Sequence, residues 1–282
     1  MNWPGPFEMA FMRHALLAST CIAVAGSAVG YFAVLRQQAF AAHALSNVGF
    51  AGAAGAILAG VNPMVGLFVF TMAAAVVLSA VSPTWKENDV GVGMVLMFSL
   101  GLGALFLNVY GANADAAIGI LFGSVFGISS AQVKVIVVVS LCVLVVLAAL
   151  FRPLRYASIN EQAARASGVP VALVGLLFIL TLAATAAVAV PVIGALLSFA
   201  IFVGPAAAAQ AWTGRVATGL FLTVAFALVQ TWCGLLASYY WNYPATSWIA
   251  GFSFAFYLFS LLAKRYGARR WADDPLPAIP EG

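Results

Sequence analysis

"ASGVPVALVGLLFILTLAATAAVAVPVIGALLSFAIFVGPAAAAQAWTG", residues 166–214, contains no Asp, Glu, Lys or Arg. A helix crosses the hydrocarbon core of a bilayer in about 20 residues. This window is more than twice that long, so it must fold back at least once inside the membrane. Two more uncharged windows, between Gln37 and Trp85 and between Val216 and Ala263, demand the same. The whole chain of 282 residues is 64% hydrophobic and 7% charged, and its mean hydropathy is far above that of a soluble domain. A water-facing globule is excluded. The chain reads as an all-α, polytopic membrane protein of about eight or nine spans, one membrane domain over residues 1–282.

Apolar runs between breakers place spans near 14–35, 39–60, 64–82, 91–110, 131–151, 170–190, 192–211, 216–237 and 246–263. Ionisable groups avoid hydrocarbon, so Lys86 to Asp89, Arg152 to Arg165, Arg215 and Lys264 to Arg270 are expected in loops or tails. With nine alternating spans, Arg36, Lys86, Arg152, Arg155, Arg165, Arg215 and Lys264 to Arg270 share one side. The positive-inside rule makes that side cytoplasmic, with the C-terminus inside, the N-terminus outside and Arg13 the one basic residue outside. The bookkeeping fails if 192–211 is two half-helices that do not cross. The net charge of +4 is ordinary, and no basic stripe interleaved with aromatics points to nucleic acid. Cys21, Cys142 and Cys233 show no paired spacing and read as buried hydrophobes. Glu8 ahead of Arg13, without a small-residue cleavage site, argues against a removable signal peptide.

Two interrupted segments stand out. "ANADAAIGILFGSVFGISSAQV", 112–133, is too rich in Gly and Ser for a spanning helix and reads as a short external helix, with Asp115 at its favourable positive end. "FRPLRYASINEQAARASGVPV", 151–171, reads as a short helix near 157–168 between two spans. Ser158 or Asn160 supplies its cap, Glu161 its first turn, and Gly168 with Pro170 its stop. Such a helix is either a plain connector or a docking element for a cytosolic motor.

Six stretches together carry a resemblance. The 151–171 loop is similar to the coupling helix of permease subunits of ABC importers for zinc and manganese, the ABC-3 type. "FMRHALLAS" with "GYFAVLRQQAF" resembles that family's first span and its basic exit, and "ENDVGVGMVLMFSLGLGALF" its fourth span. "AAIGILFGSVFGIS" resembles its short external helix, "VIGALLSFAIFVGPAAAA" its Pro-broken seventh span, and "GLLASYYWNYPATSWIAGFSF" its final hairpin. The resemblance implies a vitamin B12 importer-like (type II) fold in a bacterial cytoplasmic (inner) membrane, with a second copy of the chain and a path at the dimer interface. It also implies that Asn160, Glu161, Ala164, Arg165 and Gly168 couple to cytoplasmic ATPase subunits, since the chain has no GxxxxGK[ST] loop of its own. An external or periplasmic metal-binding protein would deliver the substrate, a divalent transition metal, zinc first and manganese next. No cofactor bound by this chain is expected.

The family's second span reads like GDALSHAxLPG, with Asp and His four residues apart on one helix face. Here the letters are "AHALSNVGFAG", 42–52, so His43 stands where the Asp is expected and Asn47 where the His is expected. The exchange removes the anionic ligand and leaves one imidazole and one neutral carbonyl. For a generic membrane helix the pair would be an interhelical hydrogen-bonding couple, whereas the resemblance favours contact with cargo. Ser46 shares the His43 face; Asn108, Asp115 and Ser124 are candidates for an external vestibule. Ser198 and Pro205 lie in the broken segment, where Pro205 frees a backbone carbonyl. Gln230 reads as a packing partner. A metal-chelate importer and a passive channel are the rival readings, and no Ser/His, paired-Asp or HExxH motif supports an intramembrane enzyme.

Overall fold

Small residues decide which helices take the centre. In the computed structural model, which describes residues 9–81, 89–110, 119, 123–195 and 197–272, three helices rich in Ala and Gly fill the middle of the bundle. These are α1 (Ala10–Leu35), α2 (Ala39–Leu58) and α7 (Val171–Ile193), with 72%, 78% and 72% of their apolar windows buried. Around them lie α3 (Pro63–Val81), α4 (Asp89–Tyr110), α5 (Ser130–Ile159), α10 (Val216–Trp241) and α11 (Ala245–Ala272). In α3, α4, α5 and α11 no more than 28% of the window is buried, and their exposed Val, Leu and Phe face the lipid. All regular structure among the described residues is helical, and eight helices are long and apolar enough to span.

Lipid supplies no hydrophobic force between helices, so they associate through close packing. Gly52 of α2 and Gly66 of α3 face each other so closely that a Cβ on either would strike the other's carbonyl. Gly30 of α1 likewise admits the Phe202 carbonyl, which no side chain there would permit. The turns are built from local polar groups. Asn62 Oδ1 accepts from the Met64 N–H at 2.9 Å at the start of α3, and Asn242, in the left-handed conformation at φ 56°, closes α10.

Several expectations need correction. The segment 192–211 is not one span: α7 runs through Pro191 to Ile193, Gly194 breaks it at φ 85°, and the chain continues as two short helices, α8 (Ser198–Phe202) and α9 (Gly204–Trp212). Arg152 and Arg155 lie in a helical extension of α5, and Lys264 to Arg270 in an extension of α11, because a helix that leaves the bilayer has no reason to stop at its surface. Of the expected external helix, residues 111–118 and 120–122, with Asp115, lie outside the described residues. The described part is a 3₁₀ turn, Val125–Gly127, after which Ser129 and Gln132 form a capping box that starts α5. Lys86 is also outside the described residues.

Contacts between elements nonetheless make the broken segment a ninth passage. At one end of the bundle, Phe11 meets Phe126 edge to face at 5.8 Å, and the Ser124 N–H donates to the Pro191 carbonyl at 3.2 Å. Met9, Gly123 to Phe126 and the 242–244 turn line one cavity of about 740 Å³ there. At the other end, Phe32 meets Phe151 at 5.9 Å, and Gln210 Nε2 donates to the Tyr31 carbonyl at 3.2 Å. The chain therefore enters the break at the first end and leaves it at the second. Arg36, Arg152, Arg155, Arg165, Arg215 and Lys264 consequently gather at one end. Lys134, exposed in the first turns of α5, joins Arg13 at the opposite end, where the sequence reading had placed Arg13 alone.

Gly30→Ala should lower the thermal midpoint of the detergent-solubilised protein, costing about 1–3 kcal/mol through overpacking. Gly101→Ala, with nothing within 4 Å of an added Cβ, should leave the midpoint unchanged or raise it.

Candidate functional site

Between Ala41 and Ala54 every residue of α2 is buried except His43. Over this stretch the helix is enclosed by α3, α4, α7 and the broken segment, and the half-buried His43 is its one gap. Phe199 of α8 sets its ring edge to face with His43 at 5.7 Å. Phe199 and Phe40, the latter one turn before His43, are both partly exposed, so the opening has aromatic walls. Asn47, one turn further on and 3% exposed, donates through Nδ2 to the His43 carbonyl at 2.9 Å. The same nitrogen lies 3.3 Å from His43 Nε2. His43 Nδ1 is buried without a hydrogen-bond partner. The pair predicted from sequence is therefore assembled, and it offers one imidazole whose second nitrogen is engaged by an amide. Among the described residues, no three His, Cys, Asp or Glu side chains cluster as a metal site.

Ser46 is fully buried, and its hydroxyl donates back to the Ala42 carbonyl at 3.1 Å. Ser198 is equally buried and donates to the Ala195 carbonyl at 2.8 Å. Pro205 sits buried in the first turn of α9, where its missing N–H costs nothing. The carbonyl that the break leaves to side chains is that of Ala200, which accepts from Gln230 Nε2 at 3.0 Å and from Ser253 Oγ at 2.8 Å. Gln230 is thus the packing partner the sequence suggested. Ser253 gave no signal, being one hydroxyl in a Phe-rich helix. Asn108 and Ser124 are exposed, Ser124 at the cavity beside the 242–244 turn.

At the basic end, Asn160 caps α6 (Glu161–Ala166), its Oδ1 accepting from the Ala163 N–H at 2.9 Å. Ser158 does not cap it: its hydroxyl bonds the Leu154 carbonyl inside α5, so the helix is shorter than the expected 157–168. Glu161 and Arg165 form an i,i+4 ion pair at 2.7 Å. Ala164 is fully buried against Ala157 and Val171, which fastens the helix to α5 and α7. Gly168, at φ 81°, ends the turn. Ile159, Gln162 and Arg165 are exposed. Arg36, a basic residue between two spans, is 8% exposed, with its guanidinium over the Phe178 ring at 5.6 Å. Burial pushes its pKa below the ordinary guanidinium range, and Glu161 draws it partly back.

A bundle of spanning helices, one passage of it broken, with a short capped helix at its basic end defines a polytopic membrane protein. Residues 8–264 match the ABC 3 transport family, and the chain belongs to that family. The manganese import system permease protein ScaB of Streptococcus parasanguinis is 27% identical over 251 residues, 89% of each chain. The manganese transport system membrane protein MntC of Listeria monocytogenes is 25% identical over 239 residues, 84% of this chain and 85% of that one. The solved structure of PsaBC from Streptococcus pneumoniae in complex with Fab matches with a TM-score of 0.81 at 25% identity, covering 91% of this chain and 92% of that chain. The expected type II permease fold is the observed one.

Ala164→Asp, which forces a charge into a fully buried site, should open the 160–168 segment to limited proteolysis. Gln162→Asp, on the exposed face, should leave it as resistant as the unmodified protein.

Proposed function

We propose that this chain is the membrane-spanning permease of an ATP-driven importer of a divalent transition metal, manganese ahead of zinc, and that the metal passes His43. The carrying observation is the gap in the middle of α2: the half-buried His43 is the one residue between Ala41 and Ala54 that its neighbours do not bury. Sequence alone put zinc first; the names of the manganese import relatives support the opposite order. Two copies of the chain would bring two imidazoles to a shared path, a closed two-fold arrangement of the usual kind. ATPase subunits would dock on the exposed face of α6, and an external metal-binding protein on the opposite end near Ser124 and the 242–244 turn. The positive-inside rule places the end bearing Arg36, Arg165 and Arg215 in the cytoplasm, with the C-terminus. His43 and Asn47 form a weak, neutral donor set, which suits an ion that must be released as well as bound; selectivity then rests with the binding protein.

One observation favours a second reading. Beyond Asp89, at the first residue of α4, none of the nine passages carries an Asp or Glu. A metal that brings its own anionic ligands, a chelate, would meet less resistance there than a bare dication. His43 and Asn47 would then serve as hydrogen-bonding groups.

Uptake of radioactive manganese and zinc by vesicles carrying the full assembly separates these readings. His43→Ala should cut uptake of the free ion by about tenfold or more, the scale on which altered metal environments act. Uptake at the unmodified level in that variant would remove His43 from the path. Asn47→Asp, which puts a carboxylate of the same shape beside His43, should bind manganese more tightly and release it more slowly.

A further inference from the structure

On the outer surface of the bundle, α1 and α10 leave a groove between them. Its volume is about 340 Å³, and it is lined by Leu16, Leu17, Thr20, Cys21, Trp232 and Leu236. The walls are almost wholly apolar. The Thr20 hydroxyl is engaged, since Trp232 Nε1 donates to Thr20 Oγ1 at 3.0 Å. That bond ties the two helices together at the inner end of the groove and fixes their register. Protein interiors seldom leave a gap of this size, and at this depth the bilayer holds no water to fill it.

The register also sets polar groups above the groove. Counted from the Trp232–Thr20 bond toward the end that carries Met9 and the 242–244 turn, Arg13 is seven residues away on α1 and Tyr240 eight residues away on α10. At about 1.5 Å per residue, both stand roughly 10–12 Å above the bond. The spacings 13, 16, 17, 20 on α1 and 232, 236, 240 on α10 keep each on the groove side of its helix. Arg13 is exposed, and among the described residues it forms no ion pair. Helical side chains lean toward the start of their helix, so its guanidinium reaches outward to headgroup depth. The carboxylates among the described residues, Asp89 and Glu161, belong to the opposite, basic end. A dry apolar seam thus lies directly beneath an uncompensated cation and a phenol.

We propose that this groove holds an acyl chain of one anionic phospholipid of the surrounding bilayer, with the phosphate at Arg13 and Tyr240 and the chain against the Trp232 indole. The charge above and the apolar walls below match the two parts of such a lipid. A second copy of the chain seated here about a two-fold axis would set one Arg13 near the other, like charge against like, which favours the lipid as occupant. The bound lipid fastens α10 to the central helix α1. The inference needs only the membrane-spanning bundle and is independent of what the protein transports.

The test is native mass spectrometry of the full chain, released from detergent after equilibration with equal amounts of phosphatidylglycerol and phosphatidylethanolamine carrying the same acyl chains. The unmodified protein should retain one phosphatidylglycerol per chain in preference to phosphatidylethanolamine. Arg13→Gln should lower retention of phosphatidylglycerol about fivefold, the scale on which one basic residue acts on an anionic lipid, and leave phosphatidylethanolamine unchanged. Leu236→Trp, which fills the groove, should lower retention of both. Equal retention of the two lipids by the unmodified protein, or unchanged retention of phosphatidylglycerol in either variant, would overturn the proposal. A second measurement locates the acyl chain. In nanodiscs, phosphatidylglycerol with brominated chains should quench a larger fraction of the tryptophan emission of the unmodified protein than of Trp232→Phe, and equal fractions would count against the groove as the site. Disulfide cross-linking between two copies of a Leu17→Cys variant, with the three native cysteines replaced, would show that protein covers the groove and would reject the lipid.

Discussion

The Ala200 carbonyl, held by Gln230 from α10 and Ser253 from α11, is the contact on which the rest of the site depends. In hydrocarbon a backbone group without a partner costs several kcal/mol, so a helix is broken there only where other side chains take over its hydrogen bonds. Two side chains from separate helices do so here. The break between Gly194 and Val203 is thereby fixed at one depth, and it turns Phe199 toward His43. Were the segment a regular helix, Phe199 would follow a continuous helical rise, and the opening in α2 would lose one of its walls.

The second constraint is the packing of α2. Gly52 against Gly66, together with the Ala and Ser residues along the helix, lets its neighbours approach until, between Ala41 and Ala54, only His43 is left partly uncovered. A helix so enclosed moves with its neighbours or through its ends. Its N-terminal end is the Arg36–Gln38 turn, where the Arg36 guanidinium lies over the Phe178 ring of α7.

Much of this was legible in the sequence, for physical reasons. Hydrocarbon excludes charge, so the uncharged windows located the membrane segments. Asn160, Glu161 and Gly168 mark a short helix through capping and termination, which are local effects. The His43–Asn47 pair was legible because four residues make one helical turn. The sequence could not show where α5 and α11 end, since nothing in Arg152 or Lys264 forbids a helix from continuing into water. It also pointed to Pro205 as the source of the broken passage, whereas the break lies at Gly194 and Val203 and is stabilised by Ser253, fifty residues away in the chain. Arg36 gave no sign of burial, because its enclosure depends on Phe178 and on the turn at Gln37, both set by tertiary packing.

The proposal that the metal passes His43, on a path that would open to each side in turn, is tested most directly by a membrane-impermeant thiol reagent. The substrate for it is a His43→Cys variant of the full assembly with the native cysteines replaced. The account predicts modification from one face of the membrane in the resting state and from the other when nucleotide is trapped, while Ser46→Cys, buried on the same helix, stays unmodified in both. If His43→Cys were unreactive from both faces in both states, the imidazole would be a packing group, and α2 would not line the route.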